Sequence, residues 1–125
     1  MPSQVNRGPR QIWAALVWSL KGLAAGWRIE ASFRLEVILC VILLPLGLWL
    51  GHGATEKALL AGSLLPVLSA EMLNSCAEAL VDKLWPEYNV VAGRIKDMGS
   101  AATFLLMLNM LVIWGVILGA RTGAW

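Results

Sequence analysis

Apolar residues form three long stretches along the chain, and two of these carry no charge at all. Val37 to Thr55 contains no Lys, Arg, Asp or Glu, and neither does Met98 to Ala120. Each is close to the roughly 20 residues that a helix needs to cross a bilayer. A third run stays uncharged from Ala58 to Ala70 and then meets Glu71. The pattern predicts membrane-spanning helices over 34–51, 55–84 and 97–120. The middle one, roughly 45 Å long at 1.5 Å per residue, exceeds the hydrocarbon thickness. Its end should project into water before Trp85-Pro86 stops it. Gly51-His52-Gly53 predicts a tight turn, and Trp114 and Trp125 suit the far interface.

Before the first span the period changes. Ile12, Trp13, Leu16, Val17, Leu20, Leu23, Ala24 and Trp27 recur at helical spacing, with Lys21 and Arg28 off the stripe. This predicts an amphipathic surface helix over 10–28. A cleaved leader is the alternative, with Ile12 to Leu20 as its apolar segment and Ala24-Ala25-Gly26 as its cleavage site. Cleavage there would separate a matched basic flank from the first span. Residues 1–9 are polar and expected to fray. The chain therefore reads as a single all-α membrane domain, 1–125.

Composition agrees. Hydrophobic residues make up 58% and charged residues 14%, far from a soluble average. Arg7, Arg10, Lys21, Arg28 and Arg34 precede the first span, and Lys83, Arg94 and Lys96 lie between the second and third. Only Lys57 and Arg121 mark the other side. The positive-inside rule then puts the N-terminus and the 83–97 loop in the cytoplasm. The net charge of +2 does not suggest nucleic acid. Cys40 and Cys76 fall within spans and His52 stands alone, so neither a disulfide framework nor a zinc site is expected.

Candidate chemistry concentrates after Ala70. Glu71, Asn74, Ser75, Glu78 and Asp82 fall at i, i+3, i+4, i+7 and i+11, on one helical face. A charge at mid-bilayer costs about 2.5–3.5 kcal/mol on insertion scales, so such residues call for a purpose. With Glu30 and Asp97 they gather carboxylates at the cytoplasmic edge, where hard oxygen ligands suit Mg²⁺. A carboxylate kept partly out of water can serve as a base. Arg94 and Lys96 could neutralise phosphate. These residue types support phosphoryl transfer at a membrane surface. For Glu78, Asp82, Arg94 and Lys96 an ion-paired, solvated helix end explains the pattern equally well. No P-loop, dinucleotide fingerprint or protein-kinase signature is present.

Several blocks are nevertheless familiar. Glu71-x-x-Asn74-Ser75-x-x-Glu78-Ala79-x-Val81-Asp82 is followed by Glu87-Tyr88 and by Gly93-Arg94-x-Lys96-Asp97-Met98-Gly99-Ser100-Ala101-Ala102. Upstream stand Ser19-x-Lys21-Gly22-Leu23 and Trp27-x-x-Glu30-Ala31-x-Phe33-Arg34-x-Glu36. Together they closely resemble the prokaryotic diacylglycerol kinase family, over about residues 10 to 120.

The resemblance implies a homotrimeric bundle of three-span subunits in the bacterial inner membrane, with composite sites on its cytoplasmic face. It implies transfer of phosphate from ATP to diacylglycerol, with Mg²⁺. By position, Glu71 matches the general base, Asn74 an orienting residue, and Glu30 and Glu78 the metal ligands. Lys96 and Asp97 match a nucleotide-contacting, catalytic pair, with Glu87, Tyr88 and Asn89 near the adenine and ribose. Gln11 and Trp18 are further nucleotide contacts by the same match. Gln11, Ser19, Ala24, Trp27, Ser32, Phe33, Arg34, Glu36, Glu71 and Ser100 match lipid-contacting positions. Gln11, Leu20 and Asn89 depart from the usual residues, which bears on lipid and nucleotide contacts. Undecaprenol kinase is the related alternative, although the Lys96 to Ser100 block looks more like the diacylglycerol branch. A small ion-coupled transporter would explain Glu71 but not the charged cluster on the cytoplasmic side. A purely structural subunit would explain neither Glu71 nor Asn74.

Overall fold

The computed structural model describes residues 8–123, so Arg7, Trp125 and most of the polar 1–9 segment lie outside it. The described residues form five helices and no strand. Helix α1 runs Pro9–Ile29, and Pro9 suits its first turn because an N-terminal amide there needs no partner. Glu30 then adopts an extended conformation, capping α1 and opening α2, Ala31–Leu50. Glu30, which falls between the expected helices 10–28 and 34–51, forms the joint between the two. Arg34 secures that joint, donating from Nη1 to the carbonyls of Trp27 at 2.9 Å and Arg28 at 3.2 Å.

The glycine turn after α2 forms as expected. A Cβ at Gly51 would sit 2.7 Å from the Lys57 amide nitrogen, and Gly53 has φ +79°, which glycine adopts without penalty. The next segment departs from expectation. The helix over 55–84 is interrupted, with α3 covering Gly53–Gly62 and α4 Leu65–Leu84. Pro66 supplies the reason, since it has no N–H for the Gly62 carbonyl. The break is stitched from outside. The Trp114 indole Nε1 donates to the Leu60 carbonyl at 3.1 Å and to Ser63 Oγ at 3.2 Å.

Helix α5, Val90–Arg121, begins before the expected 97 because Asn89 caps it, its Oδ1 accepting from the amides of Val91 and Ala92 at 2.8 and 3.2 Å. Helix α4 packs chiefly on α5, and α2 packs on α3 and α4. At the α2–α3 turn, Arg121 donates to the Leu50 carbonyl and pairs with Glu56 at 2.7 Å.

The buried apolar set is small: Phe33, Leu60, Leu64, Val67, Ala70, Val81 and Ala92. Most other large apolar side chains face outward. The most apolar window of α5 has a mean hydropathy of 2.3 yet only 6% of it is buried. Water would not tolerate such a surface, whereas lipid tails do. Three segments, Ala31–Leu50, Gly53–Leu84 and Val90–Arg121, are long and apolar enough to cross a membrane.

Candidate active site

One cleft collects four carboxylates. Glu30 comes from the α1–α2 joint, Glu36 from α2, and Glu71 and Glu78 from α4. Asn74, Ser32 and Ser100 line it too. No Lys or Arg lines this cleft, so its negative charge is uncompensated by its own walls. Glu36, Glu71 and Asn74 are each only 8% exposed. Isolated carboxylates in such a place are costly, which favours a site that takes up cations.

The helical period explains the alignment on α4. Glu71, Asn74 and Glu78 lie three and four residues apart, hence on one face. Asn74 Nδ2 donates to Glu78 Oε1 at 3.4 Å. Asn74 Oδ1 and Glu36 Oε2 are buried without a hydrogen-bond partner. Gly99 explains why α5 comes so near: a Cβ there would run into Asn74 Oδ1.

A second cleft lies at the loop between α4 and α5. Glu87, Tyr88, Asn89 and Lys96 line it together with Asp82. Lys96 Nζ pairs with Asp82 Oδ1 at 2.5 Å, with both side chains substantially exposed. The expected nucleotide-contacting residues thus divide. Glu87, Tyr88, Asn89 and Lys96 meet in one place, while Asp97 lines neither cleft and is exposed. Asn89 spends its Oδ1 on the helix cap.

The α1 candidates lie apart from both clefts. Gln11, Trp18, Ser19, Ala24 and Trp27 line neither of them. Ser19 Oγ donates within its own helix to the Ala15 carbonyl at 2.8 Å. Phe33, expected on a lipid-contacting surface, is 2% exposed and packs under Gly26. Arg34, expected beside it, is engaged with the end of α1. Thr103, Phe104 and Met107 also line the carboxylate cleft and escaped the sequence reading. The only signal was their spacing of three, four and seven residues from Ser100, within a stretch that reads as uniform lipid-facing helix.

Among the described residues no group of three or more His, Cys, Asp or Glu could hold a metal unaided. The two carboxylates Glu30 and Glu78, with the free Asn74 Oδ1, offer only hard oxygen donors. That set fits Mg²⁺, which keeps water and phosphate oxygens among its ligands.

The family model for prokaryotic diacylglycerol kinase matches residues 17–118. The chain belongs to the prokaryotic diacylglycerol kinase family. Within that family it is similar to the diacylglycerol kinase of Escherichia coli (strain K12), at 37% identity over 93% of this chain and 95% of the relative. The diacylglycerol kinase of Pseudomonas aeruginosa is 38% identical over 94% of this chain and 95% of its own. That of Haemophilus influenzae is 40% identical over 81% and 86%. The matched span takes in both clefts, so this chain is a lipid kinase of that family rather than a transporter.

Proposed function

We propose that the protein transfers the γ-phosphoryl group of ATP to the free hydroxyl of diacylglycerol, forming phosphatidic acid and ADP. The observation that carries this reading is the carboxylate cleft, four acidic side chains with no basic residue among them, in a chain of this family. Glu71 takes the proton from the lipid hydroxyl as its oxygen attacks the γ-phosphorus and ADP leaves. Asn74, between Glu71 and Glu78 on the same face, orients the site. Glu30 and Glu78 would hold Mg²⁺. When bound, the ion neutralises charge on the phosphate oxygens. Lys96 and Asp97 act at the phosphates. Glu87, Tyr88 and Asn89 border the nucleoside end, where Asn89 retains its Nδ2 donor.

Helix α1 lies on the membrane surface in this reading. Its exposed Ile12, Trp13, Leu16, Leu20, Leu23 and Trp27 support that placement, because lipid would cover them. Diacylglycerol then arrives laterally from the inner leaflet of a bacterial inner membrane, past Ser32, Glu36 and Ser100. MgATP arrives from the cytoplasm. Family membership supports a homotrimer.

The test is phosphate transfer by purified protein in mixed micelles, with diacylglycerol and undecaprenol offered separately. Mg²⁺-dependent phosphatidic acid formation that Glu71→Gln abolishes, with ATP still bound, supports the proposal. Glu78→Gln should instead weaken MgATP binding. Transfer to undecaprenol alone would keep the chemistry and change the substrate. Near-normal kcat in Glu71→Gln would remove the base assignment.

A further inference from the structure

Thr103 enters the carboxylate cleft from α5, where the reading above gives it no task. It is 6% exposed, whereas most of α5 faces outward. The register of the two helices explains why it is there. Asp82 pairs with Lys96 and Asn74 abuts Gly99, so partners descend on α4 as they ascend on α5. One turn beyond Gly99 is Thr103, and one turn before Asn74 is Glu71. The antiparallel crossing therefore sets Thr103 level with Glu71, and both side chains line the same cleft.

The geometry of the hydroxyl agrees. Ser and Thr in helices commonly bond back to a carbonyl three or four residues earlier. Ser19 does so at 2.8 Å, and Ser63 and Thr122 at 3.0 Å. Thr103 Oγ1 lies 3.5 Å from the Gly99 carbonyl, at the outer limit of a hydrogen bond. Its single proton is the poorly held one of the four. A carboxylate is the stronger acceptor for it. In a helix threonine divides between two rotamers, so the hydroxyl is free to leave the distant Gly99 carbonyl for a better acceptor.

We propose that Thr103 is a positioning residue, its hydroxyl donating to Glu71 and holding that carboxylate toward the cleft. The inference rests on Glu71 acting as the base. Thr103→Val keeps the shape and removes the hydroxyl, and Thr103→Ser keeps the hydroxyl and removes the methyl. Both are assayed beside Glu71→Gln, with kcat expressed per folded protein. The expected result is about a tenfold loss of kcat in Thr103→Val, the size of one hydrogen bond to a charged group. KM for ATP and for diacylglycerol should stay within about twofold, and Thr103→Ser should recover most of the rate. Unchanged kcat in Thr103→Val, or a Thr103→Ser variant as slow as Thr103→Val, overturns the proposal. If either occurs while Glu71→Gln is inactive, the base assignment survives alone. If Glu71→Gln turns over normally, the base assignment and this proposal fall together.

Discussion

Replacing Gly99 by Ala should damage the carboxylate cleft although Ala is the better helix former. Propensity alone favours Ala by about 1 kcal/mol in a helix interior. The added Cβ, however, meets Asn74 Oδ1, with Asn74 Cγ only 3.2 Å away. Asn74 is buried and cannot simply swing into solvent. Turning its carboxamide aside breaks the 3.4 Å bond to Glu78, a loss of about 1 kcal/mol. Separating α4 from α5 instead is overpacking, at about 1–3 kcal/mol. Either relief outweighs or cancels the propensity gain and displaces Asn74 from between Glu71 and Glu78. A displacement of about 1 Å can lower a rate by about a hundredfold, so kcat should fall at least tenfold. The assay pairs turnover in mixed micelles with unfolding in detergent. Gly115→Ala is the control, since its Cβ would meet nothing within 4 Å on the same helix. It should keep full activity and equal or greater stability. Gly99→Ala behaving like Gly115→Ala in both measurements would refute the close-approach argument.

Three further outcomes follow from contacts other than the Gly99–Asn74 approach. Glu56→Gln removes one partner of a half-exposed ion pair with Arg121. It should lower unfolding stability by about 1 kcal/mol with kcat unchanged, since that clasp and the carboxylate cleft lie at opposite ends of α2. Trp114→Phe leaves the Leu60 carbonyl and Ser63 Oγ without the indole donor. It should destabilise by about 1–3 kcal/mol and speed amide exchange around Ser63. Lys96→Met should raise KM for ATP while leaving the unfolding midpoint unchanged, because its pair with Asp82 is exposed.

The sequence made some features plain and hid others for identifiable reasons. The apolar runs were legible because a bilayer demands length and low charge, and three segments satisfy both. The face shared by Glu71, Asn74 and Glu78 was legible because helical periodicity alone aligns them. The break at Ser63-Leu64 was missed although Gly62 and Pro66 flank it, since hydropathy is indifferent to a missing hydrogen bond. The early start of α5 was missed because Asn89 acts through a cap. The start of α2 at Ala31 rather than 34 was missed because hydropathy alone does not register the charged first turn around Arg34. Thr103 was invisible because its placement depends on the crossing of two helices, which no single helix encodes.

The joint at Glu30 also bears on how such chains can change in length. Adding a residue inside α4 would turn everything beyond it by about 100°, scattering Glu71, Asn74 and Glu78 around the helix. Glu30 belongs to no helix, so a residue gained or lost beside it can be absorbed by the extended backbone. The fold thus has one side of its acidic cleft on a rigid ruler and the other on an adjustable link. Insertions and deletions that survive in descendants of this chain should gather at the adjustable side, leaving the spacing along α4 unaltered.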